Sequence, residues 1–406
     1  MTNQSQDKFS EWKKALVELL ASNQVTVAGH RYTRPAPSTY EHQWLWDSCF
    51  HAIAYRWIDP EMAWSELLSV TSHQVKEGAD AGMIPHMVYW GGGGQELWLH
   101  ADRSTITQPP LIGVAAWLVH TIAPDRSKLA VLYPLLTAFH NWFDRRRDPD
   151  RDHLVCLIHP WEAGSDSSPR WDRAMKLPER FPPSAGTAAR KSLVGVLNKY
   201  GHDPLALAES GYFCVETIDF NAIRAADLEA LANIAAELGL PGDSSGWLEQ
   251  AKEVQHAVQA KLMQPAPHDL EGLEEIPITV DSASHFIALF GGCATLEQAG
   301  KMVQRLQQPD YWTAYPVPTS PISSPSFAPQ EYWRGNTWIP YNWLIYNGLL
   351  RYGYPTLASE LAAKTSDLVC RAGFREYFHP ITGEGLGAGA QSWTGLLIDM
   401  IAQEFN

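Results

Sequence analysis

The sequence predicts an all-α protein, a closed ring of six helical hairpins of the (α/α)6 toroid type, with long functional loops at one end. Three observations predict it. Apolar residues recur at helical spacing in about a dozen segments of roughly 12–20 residues. The segments arrive in pairs. Between the pairs lie loops that concentrate Trp, Tyr and carboxylates, and loops longer than about 12–15 residues in a compact domain are usually functional.

Taken in order, residues 7–22 place Phe9, Trp12, Leu16, Leu19 and Leu20 on one stripe. Tyr40–Phe50 carries Trp44, Trp46 and Asp47 into the start of a helix. Asp59-Pro60 reads as an N-cap followed by Pro in the first turn, opening a helix to about Val75. Further amphipathic stretches cover roughly 107–122, 128–146, 186–200, 220–239, 245–263, 281–290, 295–307, 336–351, 355–371 and 391–403. Thr295 and Gln298 have capping-box spacing, and Pro241-Gly242 stops the helix that ends near Gly239. The connecting loops are 29–46, 78–105, 159–184, 265–280, 309–334 and 373–391. Only short β-like pieces such as Thr313–Pro318 are expected, with no strand series and no solenoid repeat. Without a Pro/Ser-rich linker, residues 1–406 read as one catalytic domain.

Composition narrows the function. Hydrophobic residues make up 45% and charged residues 19%, as in a globular protein with a sizeable core. The net charge of −14 argues against nucleic-acid and anionic-membrane partners, which need a basic footprint. Five scattered Cys without a C-x-x-C pair read as buried thiols, and the N-terminus has no apolar signal core, so a cytoplasmic protein is expected. Self-association is left open. Seventeen Trp are more telling, because an indole stacks well on the C–H face of a sugar ring. Large helical cores also use Trp as filler, so position has to decide.

Two loops carry the chemistry. Loop 159–173 holds Trp161, Asp166, Arg170 and Trp171 around a Gly-Ser-Asp-Ser-Ser-Pro turn. An isolated Asp in such a turn usually bonds its own backbone. Aromatic neighbours instead favour a carboxyl that keeps its proton. Loop 373–391 places Glu376 between Arg375 and Tyr377 just past a helix, and its glycines let backbone approach a ligand closely; Glu384 looks solvent-facing. Tyr40–Phe50, Gly82–Trp90 and Glu331–Trp343 add aromatics with a few polar groups, a lining that suits a sugar better than a phosphate. Gly91–Gly94 reads as a loop tip that could serve as a lid.

These stretches resemble glycoside hydrolase family 63. Trp-Glu-Ala-Gly-Ser-Asp-Ser-Ser-Pro is similar to its acid-bearing loop. Tyr-Trp-Arg-Gly-Asn-Thr-Trp-Ile and Arg-Glu-Tyr-Phe with Ser-Trp-Thr-Gly look like its next two signatures. At this length, with Trp-Leu-Trp-Asp near the start, the chain looks most like the bacterial mannosylglycerate and glucosylglycerate hydrolases. The likeness runs from about residue 40 to 400. It implies the (α/α)6 fold and an inverting mechanism, with Asp166 as general acid and Glu376 as general base. It implies that Tyr40, Trp44, Trp46, Asp47, Gln108, Trp161, Tyr332, Trp333, Trp338 and Gln391 line the sugar and aglycone subsites. One departure is Ser167-Ser168 where many members carry Asn-Ser.

For an acidic aglycone the candidates to meet its carboxylate are His86, Tyr89, Arg170 and Arg334, although such Arg residues are more often partners of nearby carboxylates. Competing readings are an α-glucosidase acting on a neutral disaccharide or glucosylglycerol, a sugar-binding protein, and a sugar epimerase using two of His42, His51, His86, His100 and His159. No metal or cofactor is expected. Asp148-Pro149-Asp150-Arg151-Asp152 has the look of a loose Ca²⁺ loop but lacks the Gly and the distal Glu, so it reads as a solvated turn.

Overall fold

The computed structural model describes residues 3–404. Along the chain, α1 (Asn3–Asn23), α2 (Leu45–Tyr55), α3 (Pro60–Thr71), a single turn α4 (Gln95–Trp98), α5 (Ile112–Ile122) and α6 (Arg126–Arg146) come first. They are followed by α7 (Pro183–Lys199), α8 (Pro204–Glu209), α9 (Ile218–Glu237) and α10 (Pro241–Ala257). After a 3-10 segment, Ala283–Leu289, come α11 (Leu296–Leu306), α12 (Ile339–Arg351), α13 (Pro355–Ala372) and α14 (Leu396–Gln403). Packing partners sort them into an (α/α)6 toroid. The inner ring runs α2, α5, α9, the 3-10 segment, α12 and α14, and α14 closes back onto α2. Outside it lie α1, α3, α6, α10, α11 and α13, while α7, followed in the chain by the short α8, packs against α4.

The sorting follows from the residues. Every position of α2 is buried, as are nearly all of α9 and α12, which is what a helix surrounded on all sides requires. The outer α11 buries only Ala299, Met302, Val303 and Leu306. Caps fix the ends where side chains predict them. Asp59 accepts from the Met62 amide, and Thr295 and Gln298 complete a reciprocal capping box. The α5 helix starts five residues later than periodicity suggests, because Gln108-Pro109-Pro110 cannot supply a helical turn. Within residues 281–290, Ala283–Leu289 form a 3-10 rather than an α-helix.

Strands are the main correction. Thr313–Pro318 is not a strand; only an isolated bridge joins Pro318 to Thr337. Instead, β1 (Gln24–Val27) pairs with β2 (His30–Thr33), and β3 (Gln43–Trp44) pairs with β4 (Met87–Val88). A four-stranded antiparallel sheet runs β5 (Cys156–Leu157), β6 (Val215–Glu216), β7 (Asp269–Glu271) and β8 (Ile276–Ile278). A hairpin joins β9 (Arg375–Phe378) to β10 (Gly385–Gly389). These strands are two to five residues long, too short to leave an alternating pattern. Among the described residues, no helix is long and apolar enough to cross a membrane.

Candidate active site

Asp166 stands in a loop braced on every side. His159 caps the 3-10 turn Pro160–Ala163 by accepting from the Trp161 amide. Gly164 follows at φ 71°, and a Cβ there would lie 2.4 Å from the Trp46 ring, so only glycine lets that indole lie against the loop. Trp171 Nε1 donates to the Ser165 carbonyl at 2.8 Å. Ser167 Oγ accepts from the Trp333 amide at 3.1 Å, and the Ser167 carbonyl accepts from Arg334 at 3.2 Å. Asp166 itself is half-buried against the cavity. Burial pushes its carboxyl up to about 7, opposed mainly by the Arg190 guanidinium and assisted by the charge of Glu376.

Glu376 sits on β9 and is 3% exposed. Its Oε1 accepts from Tyr40 Oη at 2.6 Å and Tyr332 Oη at 2.8 Å, and its Oε2 from the Ala388 amide at 2.8 Å. Three donors thus converge on its two oxygens. One glycine of β10 makes room for this contact. Gly387 has φ 66°, and a Cβ there would lie 2.4 Å from Glu376 Oε2.

Two chambers adjoin at these groups. The wider, about 550 Å³, is lined by His86, Tyr89, Leu97, Trp98, Trp161, Phe181 and Arg190, among others. The narrower, about 60 Å³, is lined by Trp46, Asp47, Gly164, Gln391 and Trp393. Tyr40, Trp44, Gln108, Asp166 and Tyr332 belong to both. Glu376 lies one hydrogen bond behind this shared wall, through Tyr40 and Tyr332. At the inner end, burial pushes Asp47 up to about 7, with the nearby His51 opposing. Gln391 is fully buried, and neither its amide oxygen nor its nitrogen has a partner among the described residues.

Of the residues expected to line the site, Tyr40, Trp44, Trp46, Asp47, His86, Tyr89, Gln108, Trp161, Tyr332, Arg334 and Gln391 do so. Three do not. Trp333 and Trp338 are buried and stack on each other with ring centroids 3.6 Å apart; Trp338 packs on Tyr377 and Trp333 on Trp46, so both are support. Arg170 is turned into the core. It grips Asp219 through two bonds of 3.2 and 2.6 Å, reaches Asp269 at 2.8 Å and covers Trp171. Two of the lining residues have constraints of their own. Arg334 spends its fork on Asp172 at 3.0 and 2.7 Å. Burial pushes the His86 ring down to about 3, which favours the neutral imidazole, a ring with one N–H to donate.

Sequence reasoning missed Arg190. It lies on α7 in a stretch that reads as a plain helix surface, yet its guanidinium faces the wider chamber and its Nε has no partner among the described residues. Trp98 and Phe181 gave no signal either, because neither sits in a dense motif.

Known proteins match this arrangement. The model of the mannosylglycerate hydrolase MGH1-like glycoside hydrolase domain matches residues 40–394. A mannosylglycerate hydrolase of Thermus thermophilus is 34% identical over 405 residues, covering 90% of this chain and 95% of that protein. A glucosylglycerate hydrolase of Mycolicibacterium hassiacum is 30% identical over 422 residues, covering 90% and 93%. The crystal structure of a GH63 mannosylglycerate hydrolase from Thermus thermophilus in complex with Tris and D-glycerate aligns with a TM-score of 0.84 at 31% identity, over 95% of this chain and 98% of that one. The neutral trehalase Nth1 of Saccharomyces cerevisiae, at 19% identity and a TM-score of 0.61, shares the fold; 96% of this chain and 80% of that one are covered. The family match begins at Tyr40, whose hydroxyl holds Glu376, and ends at Thr394, beside Trp393 of the narrow chamber. The chain therefore belongs to the MGH1-like glycoside hydrolase domain family and is a glycoside hydrolase of family 63.

Proposed function

We propose that the enzyme hydrolyses a small α-glycoside of glyceric acid, glucosylglycerate or mannosylglycerate, with inversion at the anomeric carbon. One observation carries this reading: a narrow chamber holding Asp47 and Gln391 adjoins, at Asp166, a wider one lined by the Arg190 side chain. The sugar ring lies where the two chambers meet and turns hydroxyls into the narrow one, toward Asp47 and the unpartnered Gln391 amide. The aglycone carboxylate meets Arg190, whose planar fork matches it. The names of the relatives, and the D-glycerate held by one of them, support the choice.

Asp166, protonated near neutrality, donates to the glycosidic oxygen as the bond to the anomeric carbon breaks. Glu376 takes a proton from a water whose oxygen bonds to the opposite face of that carbon. Room for that water corresponds to roughly 6.5–9.5 Å between the two carboxyl groups, against about 5–5.5 Å for retention. Tyr40 and Tyr332 orient the base. The buried thiols support a reducing compartment, hence a cytoplasmic enzyme.

The test is hydrolysis of glucosylglycerate, mannosylglycerate and neutral α-glucobioses side by side, with the product anomer followed by NMR. The expected first product from an acid-bearing substrate is the β-anomer of the free sugar. Asp166→Asn and Glu376→Gln each lose at least about 10³-fold in turnover with the fold intact. Near-normal activity in either variant refutes the assignment. Preference for neutral glucosides would leave the hydrolase and remove the glyceric acid.

A further inference from the structure

His159 stands at the start of the acid loop and lines neither chamber. It is fully buried, and both of its ring nitrogens are taken up by backbone. Nδ1 accepts from the Trp161 amide at 3.0 Å, which caps the turn that leads to Asp166. Nε2 lies 2.9 Å from the Arg190 carbonyl of α7, 31 positions along the chain. An amide N–H only donates and a carbonyl only accepts, so the two partners fix the tautomer with its proton on Nε2. Burial pushes the ring down to about 3, which favours that neutral form. The ring also packs on Trp161, with centroids 4.5 Å apart.

The α7 helix needs such a tie. Of its residues, Gly186, Leu193, Val194 and Leu197 are buried, and it packs against the single turn α4. The Arg190 guanidinium rides on α7, its Nη2 donating to Thr187 Oγ1, one turn back, at 3.1 Å. Where the helix sits therefore decides where the fork meets the wider chamber. It also decides how far the fork stands from Asp166, whose burial-raised carboxyl it pulls back down. The acid and the cation act on two ends of one substrate, the glycosidic oxygen and the aglycone carboxylate. A misplacement of about 1 Å between such groups costs about a hundredfold in rate.

Given the aglycone role of Arg190, on which this rests, we propose that His159 is a positioning residue that fixes the distance between Asp166 and Arg190, one nitrogen holding the acid loop and the other α7. It touches no substrate. Its two bonds serve two different kinetic quantities. The Nδ1 bond shapes the loop that aims Asp166 and so governs kcat. The Nε2 bond seats Arg190 and so governs the binding of an acid-bearing substrate.

Two amides, each matching half of the ring, separate the roles in the full-length enzyme. His159→Asn puts an amide oxygen near the place of Nδ1, keeps the cap and loses the bond to α7. His159→Gln reaches with its amide nitrogen to the place of Nε2 and loses the cap. Asp166 faces Arg190 of α7, Glu376 of β9 and Asp47 of α2, and of these Arg190 is the one bonded to His159. His159→Asn is therefore expected to raise KM for glucosylglycerate and mannosylglycerate about fivefold or more, with kcat changed by less than about threefold. Its falling limb of kcat/KM moves up by about half a pH unit, because the cation has drawn back from Asp166. His159→Gln is expected to lower kcat about tenfold or more and to leave KM and the limb near those of the parent. Melting curves show that each variant is folded. An unmoved limb in His159→Asn, or equal losses of kcat and KM in both variants, overturns the positioning role. If His159→Asn does not fold, a moved limb in His159→Gln overturns it, and so does the failure of both variants to fold. A limb that moves while KM for the acid-bearing substrates stays leaves His159 in its role and removes the glyceric acid.

Discussion

The ionisation of Asp166 is contested by two neighbours of opposite kind. Burial raises its pKa to about 7, and the Arg190 cation pulls it down. A general acid works only while protonated, so kcat/KM falls as pH rises through about 7, and the free enzyme's falling limb reports this group. Arg190→Gln removes the cation that favours the carboxylate. Its falling limb therefore moves to higher pH, and KM for an acid-bearing substrate rises by about tenfold or more. A limb that stays in place or moves to lower pH would separate Arg190 from Asp166. The sequence made the carboxylate legible and hid the arginine. Asp166 lies in a dense motif of Trp, Gly and Ser, whereas Arg190 sits among Ala, Lys and Ser on a helix whose surface gives no sign that it faces a cavity. Arg170 misled for the converse reason. It stands four residues from the acid, and nothing local announces partners 49 and 99 positions away.

At the scale of elements, the acid loop owes its shape to charges buried beneath it. Arg170 joins the loop to the first turn of α9 through Asp219 and to β7 through Asp269. It also reaches Ser165 Oγ and Ser168 Oγ, at 3.3 and 3.4 Å, on either side of Asp166. Arg170→Met keeps most of the volume but leaves two buried carboxylates without their cation. Removing one member of such a network costs about 3–5 kcal/mol. The variant is expected to melt well below the parent, and its remaining folded fraction to lose kcat more than KM, since Asp166 loses its position while the narrow chamber keeps Asp47 and Gln391. Unchanged stability and unchanged kcat would reduce Arg170 to packing. The helices that carry this arrangement were readable from period and caps. The sheet that carries Asp269 was not, because strands of two or three residues leave no alternation to read.

Over the whole molecule, the ring must bring the last helix back to the first inner one, and a single buried carboxylate does much of that. Asp399 of α14 is fully buried. It accepts from Arg56 Nε and Trp57 Nε1, both at 2.7 Å, just past the end of α2, and from Trp343 Nε1 of α12 at 2.8 Å. Three helices of the inner ring therefore meet on one side chain, and the Arg56–Asp399 contact spans a sequence separation of 343. Such a long-range contact predicts unfolding that is cooperative rather than piecemeal. Wild-type enzyme is expected to melt in one calorimetric transition whose calorimetric and van't Hoff enthalpies agree. Asp399→Ala strands the Arg56 cation and two indole donors in the core, a loss of about 3–5 kcal/mol, and lowers that transition without splitting it. The double variant Arg56→Met, Asp399→Met recovers part of the loss, because the stranded charge is gone and apolar packing replaces the pair. Two transitions in the wild type, or an Asp399→Ala protein that melts like the parent, would mean that the ring closes by helix packing alone and that its two ends fold independently.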